Sequence, residues 1–198
     1  MASERPSGEA RPGDGVGQIL FTETPLQGAY LVDPELRRDQ RGFFARTWCR
    51  EEFAARGLDA TFVQANLSYS ARKGTLRGMH YQVAPHAEDK LVRCTRGAMY
   101  DVIIDLRPAS PSLKGWFGVE LSAQRYRMLY VPAGFAHGYL TLEDETEVMY
   151  EVTAAYHPES ERGLRYDDPA IGIAWPIAVS VVSDKDRSWS SFGGGSVR

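Results

Sequence analysis

Tyr100-Asp101-Val102-Ile103-Ile104-Asp105-Leu106 alternates with a period of two, and that period decides the fold class. Successive side chains of an extended strand point to opposite faces. One face therefore carries Tyr100, Val102, Ile104 and Leu106, and the other carries Asp101, Ile103 and Asp105. The same alternation runs outward in both directions. Thr61 to Leu67, Lys90 to Cys94, Trp116 to Leu121, Met128 to Val131 and Glu147 to Thr153 all read as strands. Turn signals separate them at Arg72-Lys73-Gly74, Arg96-Gly97, Pro108 to Ser112 and Pro132-Ala133-Gly134. Only Glu51 to Arg56, stopped by Gly57, has the pattern of a short helix. Many short strands with few helices predict an all-β antiparallel sandwich or barrel, whose inner face can hold a polar pocket.

The chain has 198 residues, enough for one domain with a sizeable core, and 43% of them are hydrophobic. Residues 1–17 are rich in Gly, Pro, Ser, Glu and Arg and hold too little apolar surface to offset the entropy of ordering. They are expected to be a disordered extension, followed by one domain over residues 18–192 and a flexible Gly-rich tail over 193–198. The formal net charge is −3, and no basic block suggests nucleic acid as a partner. No apolar run approaches the ~20 residues that span a bilayer, and the N-terminus lacks a signal-peptide core. Cys49 and Cys94 fall in no metal or redox spacing, so they are expected to be reduced thiols of a cytoplasmic protein.

The chemistry is densest in Leu76-Arg-Gly-Met-His-Tyr-Gln82 and the following Lys90-Leu-Val-Arg93. A histidine titrates near neutral pH, and a lysine and an arginine beside it can hold an anion. The set suggests proton transfer on an anionic substrate. One geometric difficulty stands out. Arg77 and His80 are three apart, so a regular strand sends them to opposite faces; either Gly78 permits a bulge or Arg77 serves a neighbouring subunit.

Eleven collinear segments give these residues a wider context. They are Asp39-Gln-Arg-Gly-Phe-Phe44; Phe62-Val-Gln-Ala-Asn66 with Ser68 and Ser70; Gly74-Thr-Leu-Arg-Gly-Met-His-Tyr-Gln82; Lys90-Leu-Val-Arg93; Tyr100-Asp-Val102; Asp105-Leu-Arg107 with Ser110-Pro111; Val131-Pro-Ala-Gly-Phe-Ala-His-Gly138; Tyr150-Glu-Val-Thr153; Asp167-Asp-Pro169; Gly172-Ile-Ala-Trp-Pro176; and Ser183-Asp-Lys-Asp186. In these segments, from about residue 19 to 187, the chain resembles the dTDP-4-dehydrorhamnose 3,5-epimerase family. The resemblance implies a cupin-like jelly roll. It also implies a homodimer with exchanged N-terminal strands, from about Gln18 to Phe44, and epimerisation of a nucleotide-linked 4-keto-6-deoxyhexose at C3 and C5 without a cofactor or metal.

By that resemblance His80 is the base, Asp186 the carboxylate that orients it, Tyr150 the acid on the other face, and Lys90 the cation near the enolate oxygen. Arg41, Gln64, Asn66, Arg77, Asp101, His137 and Tyr156 match substrate-binding or pocket positions. Taken alone, a strand tyrosine is usually core, a strand lysine is usually surface, Asp186 reads as a helix-cap or turn carboxylate, and His137 reads as a loop residue after a Pro-Ala-Gly-Phe turn. The chain departs from the family pattern at Arg46, where glutamate is common, at Ala65, where aspartate is usual, and in the loop Ala84 to Asp89.

Other functions predict other residues. A metal-dependent dioxygenase of the cupin type wants a His-x-His pair, and here the sequence is His80-Tyr81-Gln82; His86, His137 and His157 do not supply that spacing. A sugar-nucleotide 3,4-ketoisomerase would not explain the Tyr150 and Asp186 matches. A 3-epimerase of another deoxysugar pathway and a non-catalytic sugar-nucleotide-binding cupin remain the alternatives, the second having no need of His80, Asp186 and Tyr150 together.

Overall fold

The computed structural model describes residues 17–58 and 61–192. Apart from Gly17, the expectations for the two chain ends lie outside the described residues. In chain order the strands are β1 (Ile19–Glu23), β2 (Tyr30–Pro34), β3 (Arg37–Asp39), β4 (Gly42–Phe44), β5 (Gln64–Ser70), β6 (Thr75–Gln82), β7 (Lys90–Arg96), β8 (Ala98–Asp105), β9 (Trp116–Ser122), β10 (Met128–Val131), β11 (Phe135–Thr141), β12 (Thr146–Val152), β13 (Glu161–Gly163) and β14 (Val181–Val182). The helices are α1 (Arg50–Ala54) and α2 (Asp184–Ser188), with one 3-10 turn at Pro158–Ser160.

Two sheets stack. The first runs β1-β2-β10-β7-β12-β5; the second runs β13-β6-β11-β8-β9, with β14 parallel to β6. Every other pairing within them is antiparallel. The β3-β4 hairpin belongs to neither sheet. This is the sandwich that the alternation predicts.

Three apolar layers hold it together. Val92, Leu129 and Val148 from the first sheet meet Ile103, Leu121 and Phe135 from the second to form the inter-sheet core. Outside the first sheet, Leu91, Met128 and Tyr130 are capped by Phe53 of α1. Phe53 is fully buried, worth roughly 1.5–3 kcal/mol by its apolar area. Outside the second sheet, Met79, Val102 and Ile104 are covered by Leu164, Ile171 and Trp175 from the C-terminal part of the chain.

That third layer explains the opening stretch. Its apolar face, with Tyr100, Val102, Ile104 and Leu106, packs under the C-terminal segment. The face with the two aspartates looks into the sandwich, and Asp101 and Asp105 are both fully buried. Asp105 is satisfied there by Arg107, Ser110 and Ser112 at 2.5–2.9 Å. Burial alone would push its carboxyl up, but those donors hold it well below the usual carboxylate range.

Strand ends moved where packing intervened. β5 starts at Gln64 and not Thr61, because Phe62 turns away to pack against Phe53. The largest departure from the sequence pattern is β11, a strand where the turn before His137 suggests a loop. All seven of its residues are buried, and Ala136 and Gly138, weak strand formers directly after the Pro132-Ala133-Gly134 turn, mask the strand. β1 pairs with β2, and β2 in turn with β10, of the same chain. Of the segment from Gln18 to Phe44, the hairpin Arg37–Phe44 joins neither sheet.

Candidate active site

A chamber of about 680 Å³ opens between the two sheets, within the usual range of small-molecule sites. The first sheet gives it one wall: Gln64, Asn66 and Ser68 of β5, Lys90 of β7, and Tyr150 and Val152 of β12. Each of these sets follows the strand period, so inward residues recur at every second position. The second sheet gives the facing wall: Arg77 and His80 of β6, with His137 and Tyr139 of β11. Ser183, Lys185 and Asp186 close one end.

The parity difficulty at Arg77 and His80 resolves as a bulge. Arg77 lies opposite Tyr139 and His80 opposite His137, so two residues of β6 face Gly138 alone. Gly78 has φ +133, and its peptide bond to Met79 is cis. The two backbones come so close that a Cβ on Gly78 would lie 2.5 Å from Gly138 Cα, and one on Gly138 would lie 2.6 Å from Met79 Sδ. Only glycine at both positions permits this approach. The slip brings Arg77 and His80 into one chamber of one chain.

Two histidine–carboxylate pairs stand side by side on this wall. His80 Nε2 lies 2.6 Å from Asp186 Oδ1. Asp186 Oδ2 accepts from the Gly78 N–H at 3.3 Å. The carboxylate reaches them from α2, whose first turn is capped by Ser183: its Oγ accepts from the Asp186 N–H at 3.1 Å. Burial pushes the Asp186 carboxyl up; the hydrogen bonds from His80, the Gly78 N–H and Ser183 outweigh it and hold the group below its ordinary value. Asp186 is therefore ionised at neutral pH. With Nε2–H donated to it, the His80 lone pair sits on Nδ1, the nitrogen left for a substrate proton. His137 Nε2 lies 2.6 Å from Asp101 Oδ1, deeper in the wall.

Across the chamber, burial first and the Glu88 carboxylate second raise the Tyr150 phenol above its ordinary value, against the opposing pull of Arg77. A phenol so placed stays protonated at neutral pH and can donate. Lys90 is buried and ion-paired with Glu88. The arrangement sets an imidazole on one wall, and a protonated phenol and a cation on the other.

Of the residues singled out in the sequence, His80, Asp186, Tyr150, Lys90, Gln64, Asn66, Arg77, His137 and Tyr156 line this chamber. Asp101 stands behind His137. Arg41 does not reach it: it sits on the exposed hairpin, bonded to Asp39 at 2.6 Å. The sequence reading missed Glu88, Tyr139, Glu161 and Lys185. Glu88 precedes Lys90 by one strand period, which is a readable signal. Glu161 accepts from Lys185 Nζ at 2.6 Å and from Tyr156 Oη at 2.7 Å at the chamber mouth, a constellation formed only by folding.

Comparison with known proteins agrees with this geometry. The family model described as dTDP-4-dehydrorhamnose 3,5-epimerase matches residues 23–193. The chain belongs to that family. It is 44% identical over 180 residues to the dTDP-4-dehydrorhamnose 3,5-epimerase of Sinorhizobium fredii, covering 90% of this chain and 92% of the relative. Among solved structures, the family member from Bacillus anthracis, with TDP and pyrophosphate bound, superposes with a TM-score of 0.85 at 42% identity, covering 88% of this chain and 100% of the other. A 3'-monoepimerase from Streptomyces bikiniensis, in complex with dTDP-quinovose, superposes with a TM-score of 0.78 at 33% identity, covering 85% of each chain. The expected jelly roll and isomerase class therefore stand, and the family's activity is epimerisation of a nucleotide-linked ketosugar.

Proposed function

We propose that this enzyme epimerises a dTDP-linked 4-keto-6-deoxyhexose at C3 and C5, with His80 as base and Tyr150 as acid. The C4 ketone acidifies both neighbouring C–H bonds. His80 Nδ1 takes the proton from one carbon while Asp186 stabilises the imidazolium. The electron pair moves into the C4 carbonyl, and Lys90 offsets the charge on the enolate oxygen. Tyr150 Oη then returns a proton to that carbon from the other side. No electrons are gained or lost overall. The observation that carries this reading is the placement of His80–Asp186 and Tyr150 on facing walls of one chamber.

The test is incubation with dTDP-4-keto-6-deoxyglucose in heavy water, with deuterium read by NMR. The expected result is label at C3 and at C5. Label at C3 alone moves the enzyme to the 3-epimerases, the class of the less similar S. bikiniensis protein. No label at either carbon, with several nucleotide-linked ketosugars tried, leaves a sugar-nucleotide-binding cupin. Two unbridged cysteines fit a cytoplasmic setting, and no helix among the described residues is long and apolar enough to cross a membrane.

The same reading includes a homodimer. β5 is the open edge of the first sheet, and Leu67 and Tyr69 on its outward face are 63% and 48% exposed. Phe44 on the detached hairpin is 62% exposed. Adding a partner's hairpin to such an edge covers both and pairs the free N–H and C=O groups. It would bring Arg41 to a phosphate in the partner's chamber, where its guanidinium can bind two oxygens at once. Mixing Arg41→Ala with His80→Ala protein checks this. Each parent should be inactive, and exchanged dimers, holding one site free of both lesions, should regain activity. No recovery despite demonstrated subunit exchange would place both residues of one chain in a single site.

A further inference from the structure

We propose that His86, His157 and Glu159 form a site for a divalent transition-metal ion of the Zn²⁺ type, on the outer side of the chamber rim. His86 lies in the loop between β6 and β7, and His157 lies just after β12, immediately before the 3-10 turn. Their imidazoles face each other with centroids 3.5 Å apart and planes 12° from parallel. One ring nitrogen from each and a Glu159 carboxylate oxygen all lie within 4.8 Å of one another. Neither histidine lines the chamber. The sequence hides the site, since its two imidazoles come from segments far apart in the chain.

The backbone beneath the rings is already set. Gln82 is 4% exposed and holds both segments. Its Nε2 donates to the carbonyls of His86 and Ala155, each at 3.1 Å, and its Oε1 accepts from the His157 N–H at 2.6 Å. One buried amide thus fixes the spacing of the two ligand-bearing residues. Ser160 Oγ, 2.9 Å from His86 Nδ1, supplies the second bond that metal-binding imidazoles commonly make; with Nδ1–H donated to it, the Nε2 lone pair faces outward. His157 Nδ1 already meets Glu159 Oε1 at 3.0 Å.

Two imidazoles and a carboxylate are a donor set suited to zinc, with bonds of about 2.0–2.1 Å. The donors must draw in from their present separation. Because an imidazole binds a metal in its own ring plane, the His157 ring must also swing out of its stack on His86; the His157 and Glu159 side chains are 39% and 67% exposed and free to make that turn. Solvent can complete the coordination. A bound ion would tie the loop carrying Glu88 to the segment carrying Tyr156 and Glu161, and so set the width of the chamber mouth. It would take no part in proton transfer, which lies on the other side of the wall.

The test is calorimetric titration of the tag-free, chelator-treated full chain with zinc chloride, with magnesium chloride as control. The expected result is saturable binding of one Zn²⁺ per chain and none of Mg²⁺. His86→Gln and His157→Gln should each weaken binding at least tenfold while keeping wild-type metal-free melting temperature and turnover. His80→Asn should bind Zn²⁺ as tightly as the wild type. Absence of saturable binding overturns the proposal. So does binding that survives both His86→Gln and His157→Gln, or binding lost in His80→Asn, which would put the ion in the chamber.

Discussion

Replacing His80 by alanine should lower turnover about 10²–10⁴-fold, the usual worth of a positioned general base, and stop deuterium entering at C3. The fold should survive, because His80 is part-exposed in the chamber and its loss removes one hydrogen bond, the one to Asp186. Substrate binding should survive too, since Gln64, Asn66 and Arg77 lie on other parts of the lining. The effect therefore belongs in kcat and not in KM. Steady-state kinetics and NMR exchange on the same sample decide the matter: near wild-type turnover removes His80 as the base. Asp186→Asn should follow in the same direction with a smaller loss. The amide keeps the contact to the ring but not the charge that stabilises the imidazolium.

Tyr150→Phe should separate two events that His80→Ala abolishes together. Product formation should fall about 10²–10⁴-fold, because the acid on the far wall is gone. Exchange into recovered substrate should continue, because His80 can still remove a proton and return a solvent-derived one from its own side. The phenol is raised above its ordinary value by burial and by Glu88, so in the wild type it holds its proton across the neutral range. Mass spectrometry of unreacted substrate from heavy water reads the difference. If exchange collapses by the same factor as product formation, Tyr150 acts in proton removal and the division of labour between the walls is wrong.

Much of this could be read from the chain before it was folded, and what escaped did so for physical reasons. Period-two alternation located β7, β8, β9, β10 and β12 to within about two residues, because each has at least one face of consistent polarity. It failed at β11, where Ala136 and Gly138 are weak strand formers placed directly after the Pro132-Ala133-Gly134 turn. It also inverted the meaning of Asp101 and Asp105. In isolation, aspartates on a strand suggest the solvent face; here the C-terminal segment covers the apolar face and the acids look inward. The helix carrying Asp186 is five residues long and held mainly by its cap, too short for any periodicity to register. The Gly78 bulge stood as one of two alternatives and needed coordinates to decide it. Resemblance supplied the roles of His80 and Tyr150. Neither spacing nor composition assigns them, since only folding sets the two residues on facing walls of one chamber.

That last arrangement has a consequence for how such an enzyme can change. Packed sheets sit about 10 Å apart, a distance fixed by the thickness of two layers of side chains. With His80 on one sheet and Tyr150 on the other, the fold acts as a caliper whose jaws, in the proposed mechanism, are the donor and the acceptor. Their span is inherited from the architecture and does not have to be tuned residue by residue. Divergence can then work on what slides between the jaws: side chains that shift the sugar ring along the chamber change which carbon is presented, while the inversion itself comes with the sandwich.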